Sequence, residues 1–183
     1  PLGKHNQEPT TGITGMVYRT IQGTTRLVGS GIDALLAQLI PLLDKEPATS
    51  SSTREALLAA LNGVLGDHLA SSGNPLAIPM HVRRDGHPLN LATHALTADI
   101  PQPTGKILVL VHGLCMNDLQ WQRKGHDHGA MLTNELGWTV VHLHYNSGAH
   151  ISDNGSRFAA LLDALLAQWP VPLDEMAIVG HSM

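Results

Sequence analysis

Three short apolar runs, residues 107–111 (ILVLV), 140–145 (VVHLHY) and 175–179 (EMAIV), alternate with stretches of helical spacing, and this order leaves few folds open. The run at 107–111 has no polar alternation, as expected of a parallel strand buried on both faces. Met131, Leu132 and Leu136 mark a short helix stopped by Gly137, and Phe158, Leu161, Leu162, Leu165 and Trp169 repeat at helical spacing until Pro170. Upstream, 78–83 and 88–91 read as two strands around Asp85-Gly86, a pair favoured in hairpin turns. A hairpin followed by β-α-β-α-β implies right-handed crossovers and a mostly parallel sheet flanked by helices, an α/β fold. No internal repeat is present.

Residues 1–75 differ in character. Ile13, Met16, Val17 and Ile21 have helical spacing, interrupted by Gly12, Gly15 and Gly23, and the apolar stretch 32–43 contains Pro41, which ends or kinks a helix. After the polar linker 49–52, Ser52 and Glu55 form a capping box. The helix they open carries Leu57, Leu58, Leu61, Val64, Leu65 and Leu69 on one face and ends near 71–75 (SSGNP). The expected organisation is a helical segment over 1–75 and an α/β domain over 76–183. With 183 residues and 43% hydrophobic content the chain can bury a core. A net charge of -4 with 11 Lys and Arg argues against a nucleic-acid partner. No apolar run reaches the length of a membrane span. The single cysteine, Cys115, excludes an internal disulfide and slightly favours a cytoplasmic, reducing compartment without fixing one.

The chemistry falls at the ends of the apolar runs. The run 175–179 leads straight into Gly180-His181-Ser182-Met183, which matches G-x-S-x-G up to its last glycine. In that pattern a tight strand-to-helix turn lifts a serine hydroxyl above the sheet, and small residues are needed because the turn is crowded. A serine needs such a turn, a base and oxyanion dipoles to act as a nucleophile. His112-Gly113-Leu114 directly follows the run 107–111; a glycine there lets the loop turn a backbone N–H towards a substrate carbonyl. The amides of Leu114 and Met183 would together form an oxyanion hole. Between His112 and Ser182 lie one helix, one strand, one helix and one strand.

The segment 107–117 (ILVLVHGLCMN) followed by 177–183 (AIVGHSM) resembles the α/β-hydrolase superfamily, in particular bacterial esterases and lipases with an HG-x oxyanion loop. It is also similar to the catalytic domain of GPI inositol-deacylase-like proteins, which act on lipid esters. The resemblance covers roughly residues 78–183 and implies an incomplete α/β-hydrolase fold. It implies Ser182 as nucleophile, Leu114 and Met183 as oxyanion donors, and His112, Gly113, Asn146 and His181 as residues bordering the substrate pocket. It implies a small-molecule or lipid ester as substrate and no cofactor. The family places the acid and the histidine base after the serine. The chain is accordingly expected to be the N-terminal part of an ester hydrolase, poorly soluble and inactive by itself, with the strand 175–179 leaving an uncovered edge. The rival reading is a non-catalytic binding protein on the same fold.

Twelve histidines raise a metal alternative. His126-Asp127-His128 resembles the start of the H-x-H-x-D-H signature of metallo-β-lactamase-type hydrolases but lacks its second half, and His142 and His144 share a strand face by the period of two. The expectation is no metal: Asp127 is better placed as a helix cap, and the strand imidazoles as hydrogen-bonding groups at the helix–sheet interface. Asn146 and His150 lie in the loop leaving 140–145, where ligands of open α/β sheets bind. They are equally accountable as a polar turn, and Asp118 and Trp121 carry the same ambiguity. Cys115 reads as a packing residue. The N-terminal helices are expected to brace the sheet; the alternative is peripheral contact with lipid.

Overall fold

The computed structural model describes residues 52–123 and 125–182. The expectations placed on residues 1–51 and on Met183 lie outside the described residues. The chain divides into two compact units, Pro1–Leu57 and Leu58–Met183. Of the first, only Ser52–Leu57 is described, as the opening of helix α1 (Ser52–Ser71). The division falls inside that helix, upstream of the break at 71–75 on which the sequence division rests.

In the second unit, α1 ends in a Schellman cap: Gly73 adopts φ 63°, its N–H donates to Ala70 O, and Asn74 N–H donates to Leu69 O at 3.0 Å. The expected apolar stripe on α1 is only partly right. Leu61 and Leu69 are buried, but Val64 is 43% exposed, and Asn62 is fully buried. Leu65 leaves helical geometry (φ -117°, ψ 15°), which breaks the regular spacing of the stripe.

The hairpin is β1 (His81–Arg84) and β2 (His87–Pro88), shorter than 78–83 and 88–91. Asp85 and Gly86 both have positive φ, 51° and 77°, as a two-residue type I′ turn requires. Helix α2 (Thr93–Asp99), which the spacing does not reveal, leads into β3 (Lys106–Val111). A 3-10 turn (Asp118–Trp121) and a small ribbon of β4 (Gln122–Arg123) and β5 (His126–Asp127) precede helix α3 (His128–Leu136). Asp127 caps α3 by accepting from Ala130 N–H at 2.9 Å, and Gly137 ends it at φ 70°, both as the sequence predicts. Then follow β6 (Thr139–His144), α4 (Ile151–Ala167) and β7 (Glu175–Gly180).

The five-stranded sheet has the order β2-β1-β6-β3-β7. Strands β6, β3 and β7 are parallel, and β1 joins β6 antiparallel. Side chains of β3 alternate between two cores. Ile107 and Val109 pack with Val141, Leu143, Leu96 of α2 and Leu165 of α4. Leu108 and Leu110 pack with Val140, Trp121 and Leu132 of α3. The sheet is therefore covered on both faces, which defines the α/β class. Among the described residues β7 pairs only with β3, and Met176, Ile178 and Val179 are exposed, so within them the edge of β7 is uncovered, as expected. No helix among the described residues is long and apolar enough to cross a membrane.

Candidate active site at the ends of β3 and β7

The chain passes from β3 to β6 on one side and then returns to β7 on the other side of β3. Open α/β sheets bind ligands at such a reversal, beyond the carboxyl ends of the strands. The loops that meet there are 112–117, after β3, and 180–182, after β7.

Parallel pairing sets Val111 opposite Gly180, and His181 N–H donates to Val111 O at 2.9 Å, extending the ladder by one bond. The two loops then touch. A Cβ built on Gly113 would overlap the carbonyl oxygen of Ser182 and lie 2.7 Å from His181 O. Only glycine allows this approach. Ser182 itself has φ 29°, a left-handed conformation that is strained for a residue with a side chain. The crowding expected at Gly180 is instead at Gly113: a Cβ on Gly180 meets nothing within 4 Å among the described residues.

The loop after β3 is a tight turn. Met116 N–H donates to Gly113 O at 3.2 Å, and Cys115 takes φ 60°. Cys115 N–H donates to Ser147 Oγ at 3.1 Å. Burial pushes the Cys115 thiol up, which suits a packing residue better than a nucleophile. Helix α1 lies directly behind: a Cβ on Gly63 would lie 2.7 Å from Cys115 N, and one on Gly66 would overlap Asn146 Oδ1. The α1 segment from Leu58 onward thus braces the loops, where the sequence reading placed the N-terminal helices against the sheet.

Asp118 anchors the far end of the loop. Its Oδ1 accepts from His144 Nδ1 at 2.9 Å and from Arg83 Nη1 at 3.2 Å, with Asp118 and His144 both buried. Burial raises the Asp118 carboxyl pKa, but the hydrogen bond from His144 and the charges of His144 and Arg83 outweigh it and hold the pKa below the usual value. This network is the part of the site that sequence reasoning missed. It joins three elements through the register of β1 on β6, and no local pattern encodes that pairing.

The other expected residues are placed as follows. His112 is 2% exposed, stacks on Tyr145 at 4.5 Å between ring centroids, and donates from Nδ1 to Gly113 O at 3.0 Å. Burial pushes its pKa down to about 4, only partly opposed by the Gly113 bond, so the ring is neutral near pH 7. His112 is a buried support for Tyr145, whose hydroxyl donates to His112 O at 2.8 Å. Asn146 is also turned inward: Nδ2 donates to Gly66 O and Oδ1 accepts from Gly148 N–H. His181 is exposed, with its ring edge-on to Trp121 at 6.0 Å. Leu114 is 47% exposed at the tip of the loop.

His142 and His144 share a sheet face, yet their surroundings differ. His144 serves Asp118, whereas His142 lines a polar recess of about 180 Å³ with Arg84, Asp85 and Asp127. Burial lowers the His142 pKa against the pull of three nearby carboxylates. Among the described residues, no group of three or more His, Cys, Asp or Glu is placed to hold a metal ion.

Beside the loop after β3 lies an apolar pocket of about 300 Å³ between the sheet and the start of α4. Val111, Leu114, Leu143, Tyr145, Ile151 and Phe158 are among its walls.

Compared with known proteins, the chain matches no family model, no curated protein and no solved structure.

Proposed function

We propose that the protein is a serine-dependent carboxylic ester hydrolase of the α/β-hydrolase type. Ser182 is the nucleophile, and the amides of Leu114 and Met183 are the oxyanion donors. The observation that carries this reading is the contact between Gly113 and the Ser182 carbonyl, with Ser182 at positive φ. It brings the loop after β3 and the elbow together at the sheet reversal, where such chemistry needs them.

In this reading Ser182 Oγ attacks the ester carbonyl carbon while its proton passes to a histidine base. The oxyanion is held by the two amides, the alcohol leaves as the proton is returned to it, and water, giving a proton to the same base, then cleaves the acyl-serine ester to release the acid and regenerate Ser182. Family order places that base after Ser182. The histidines near the elbow are committed elsewhere: His112 to Gly113 and Tyr145, His144 to Asp118, His181 to the edge of Trp121. Esters are preferred over amides through the family resemblance alone.

The test is labelling with a fluorophosphonate probe together with turnover of p-nitrophenyl esters by the full-length protein, beside Ser182→Ala. Labelling and turnover that both vanish in the alanine protein would support the reading. A well-folded full-length protein that neither labels nor turns over any ester would instead favour the non-catalytic binding protein.

A further inference from the structure

We propose that the apolar pocket beside Leu114 binds the acyl group of the ester and favours short and medium chains. This rests on the reading of Ser182 as nucleophile. The pocket adjoins that site through two residues: Val111 lines it and is the β3 residue paired with Gly180 of the elbow, and Leu114 contributes both a wall and the proposed oxyanion amide. A carbonyl held between Ser182 and the Leu114 amide would have its acyl chain directed past Leu114, towards Leu143 and Phe158.

The lining chemistry suits a hydrocarbon. No lining residue carries a charge at neutral pH; the phenol of Tyr145 is neutral there, and burial pushes it further up. The polar groups in the walls already serve the loops. Tyr145 OH donates to His112 O, Ser147 Oγ accepts from Cys115 N–H, and Asn154 Nδ2 donates to Asn146 O at 2.9 Å. What remains for a ligand is mostly apolar surface. At about 300 Å³ the pocket is at the small end for ligand sites, which run from roughly 300 to 1,000 Å³. That holds a butanoyl or octanoyl group with space to spare, whereas a hexadecanoyl chain would have to fill it almost completely.

Gly155 in α4 is the position that tests this. It lines the pocket, and a Cβ there meets nothing within 4 Å, so a large side chain can enter the cavity without displacing backbone. The experiment measures kcat/KM for p-nitrophenyl acetate, butanoate, octanoate and hexadecanoate with the full-length protein and with Gly155→Phe. Ile151→Trp, which fills the pocket from an exposed position, serves as a second variant should Gly155→Phe fail to fold. Binding of octanamide by calorimetry is measured alongside.

The expected result is Ser182-dependent turnover that favours butanoate or octanoate over hexadecanoate. The filled variant should lower the octanoate-to-acetate ratio at least about tenfold, equivalent to roughly 1.4 kcal/mol. Ser182-dependent turnover with that ratio unchanged, or with hexadecanoate preferred, overturns the pocket assignment and leaves the hydrolase reading standing. Without turnover, octanamide binding that the filled variants abolish keeps the pocket as an acyl site and removes the hydrolase reading. Absence of both overturns the two together.

Discussion

Gly113→Ala is the substitution that most directly probes the juxtaposition of the two loops. The added Cβ would lie 2.9 Å from the Ser182 carbonyl carbon and closer still to its oxygen. Carbon atoms in good contact sit about 3.5–4.0 Å apart, so the elbow must retreat from the loop by on the order of 1 Å. The atoms nearest the new one are all backbone of the elbow, so no side chain can rotate away to relieve it. A misplacement of about 1 Å at a reacting centre costs on the order of 100-fold in rate, close to 2.7 kcal/mol of transition-state stabilisation. Overpacking of this kind costs about 1–3 kcal/mol of stability, part of it through the His181–Val111 hydrogen bond that extends the sheet. The assay is kcat/KM for p-nitrophenyl butanoate and the rate of fluorophosphonate labelling, with thermal unfolding in parallel. Gly180→Ala, where the new Cβ meets nothing within 4 Å, should shift the melting temperature far less than Gly113→Ala. Gly113→Ala retaining activity and melting temperature within experimental scatter would refute the apposition of the loops, and with it the main support for the hydrolase reading.

Asp118→Asn removes the acceptor charge facing Arg83 and His144 and should cost about 3 kcal/mol in urea unfolding at pH 7, since a buried charge is left uncompensated. The Asp118 pKa is depressed in the fold, so its contribution is complete above the unfolded value of about 3.9 and is lost as pH falls through the folded one. The stability of the variant should therefore depend less on pH in that acid range. His112 has the opposite chemistry and the same direction: the unfolded chain takes up its proton near pH 6.5 and the folded one only at about 4. Its contribution is full above about pH 6.5 and declines as pH falls towards 4, and His112→Phe, which can keep the stacking on Tyr145, should flatten urea midpoints over that window. Asn62→Ala strips partners from Leu76 O and Ile78 N–H and should cost about 3 kcal/mol by the same assay. Gly155→Ala should stabilise by about 1 kcal/mol, because alanine is the better helix former and has open space there.

The sheet was legible because its signals are local. The unbroken apolar run at 107–111 and the heptad-like spacing from Phe158 to Leu165 each declare an element without reference to any other, and Asp85-Gly86 and Gly137 punctuate the chain through their own backbone preferences. Helix α2 escaped notice because Leu96 is its one buried residue and no side chain caps its start. In helix α1 the spacing marks a helix and part of its buried face, Leu57, Leu61 and Leu69, but not Asn62. The apolar stripe assumed a smooth hydrophobic partner, whereas from Leu58 onward this helix docks on the polar backbone of two loops. Small residues and an amide do that work: Gly63 against Cys115, Gly66 against Asn146, and Asn62 bridging to Leu76 and Ile78.

The same distinction separates what could and could not be read at the candidate site. Ser182 and the His112-Gly113-Leu114 loop stand out because each follows a recognisable strand. What holds that loop in shape comes from elsewhere in the chain. Asp118 is fixed by Arg83 and His144, the turn at Cys115 by Ser147 and Gly63, and His112 by Tyr145. These partners follow from strand register and from the close approach of glycines, neither of which a single sequence displays. The geometry of an oxyanion loop must be held to a fraction of an ångström, and a turn of a few residues cannot supply that rigidity from within. Substitutions in these distant partners should therefore lower turnover as well as stability, while leaving Ser182 and Leu114 chemically intact.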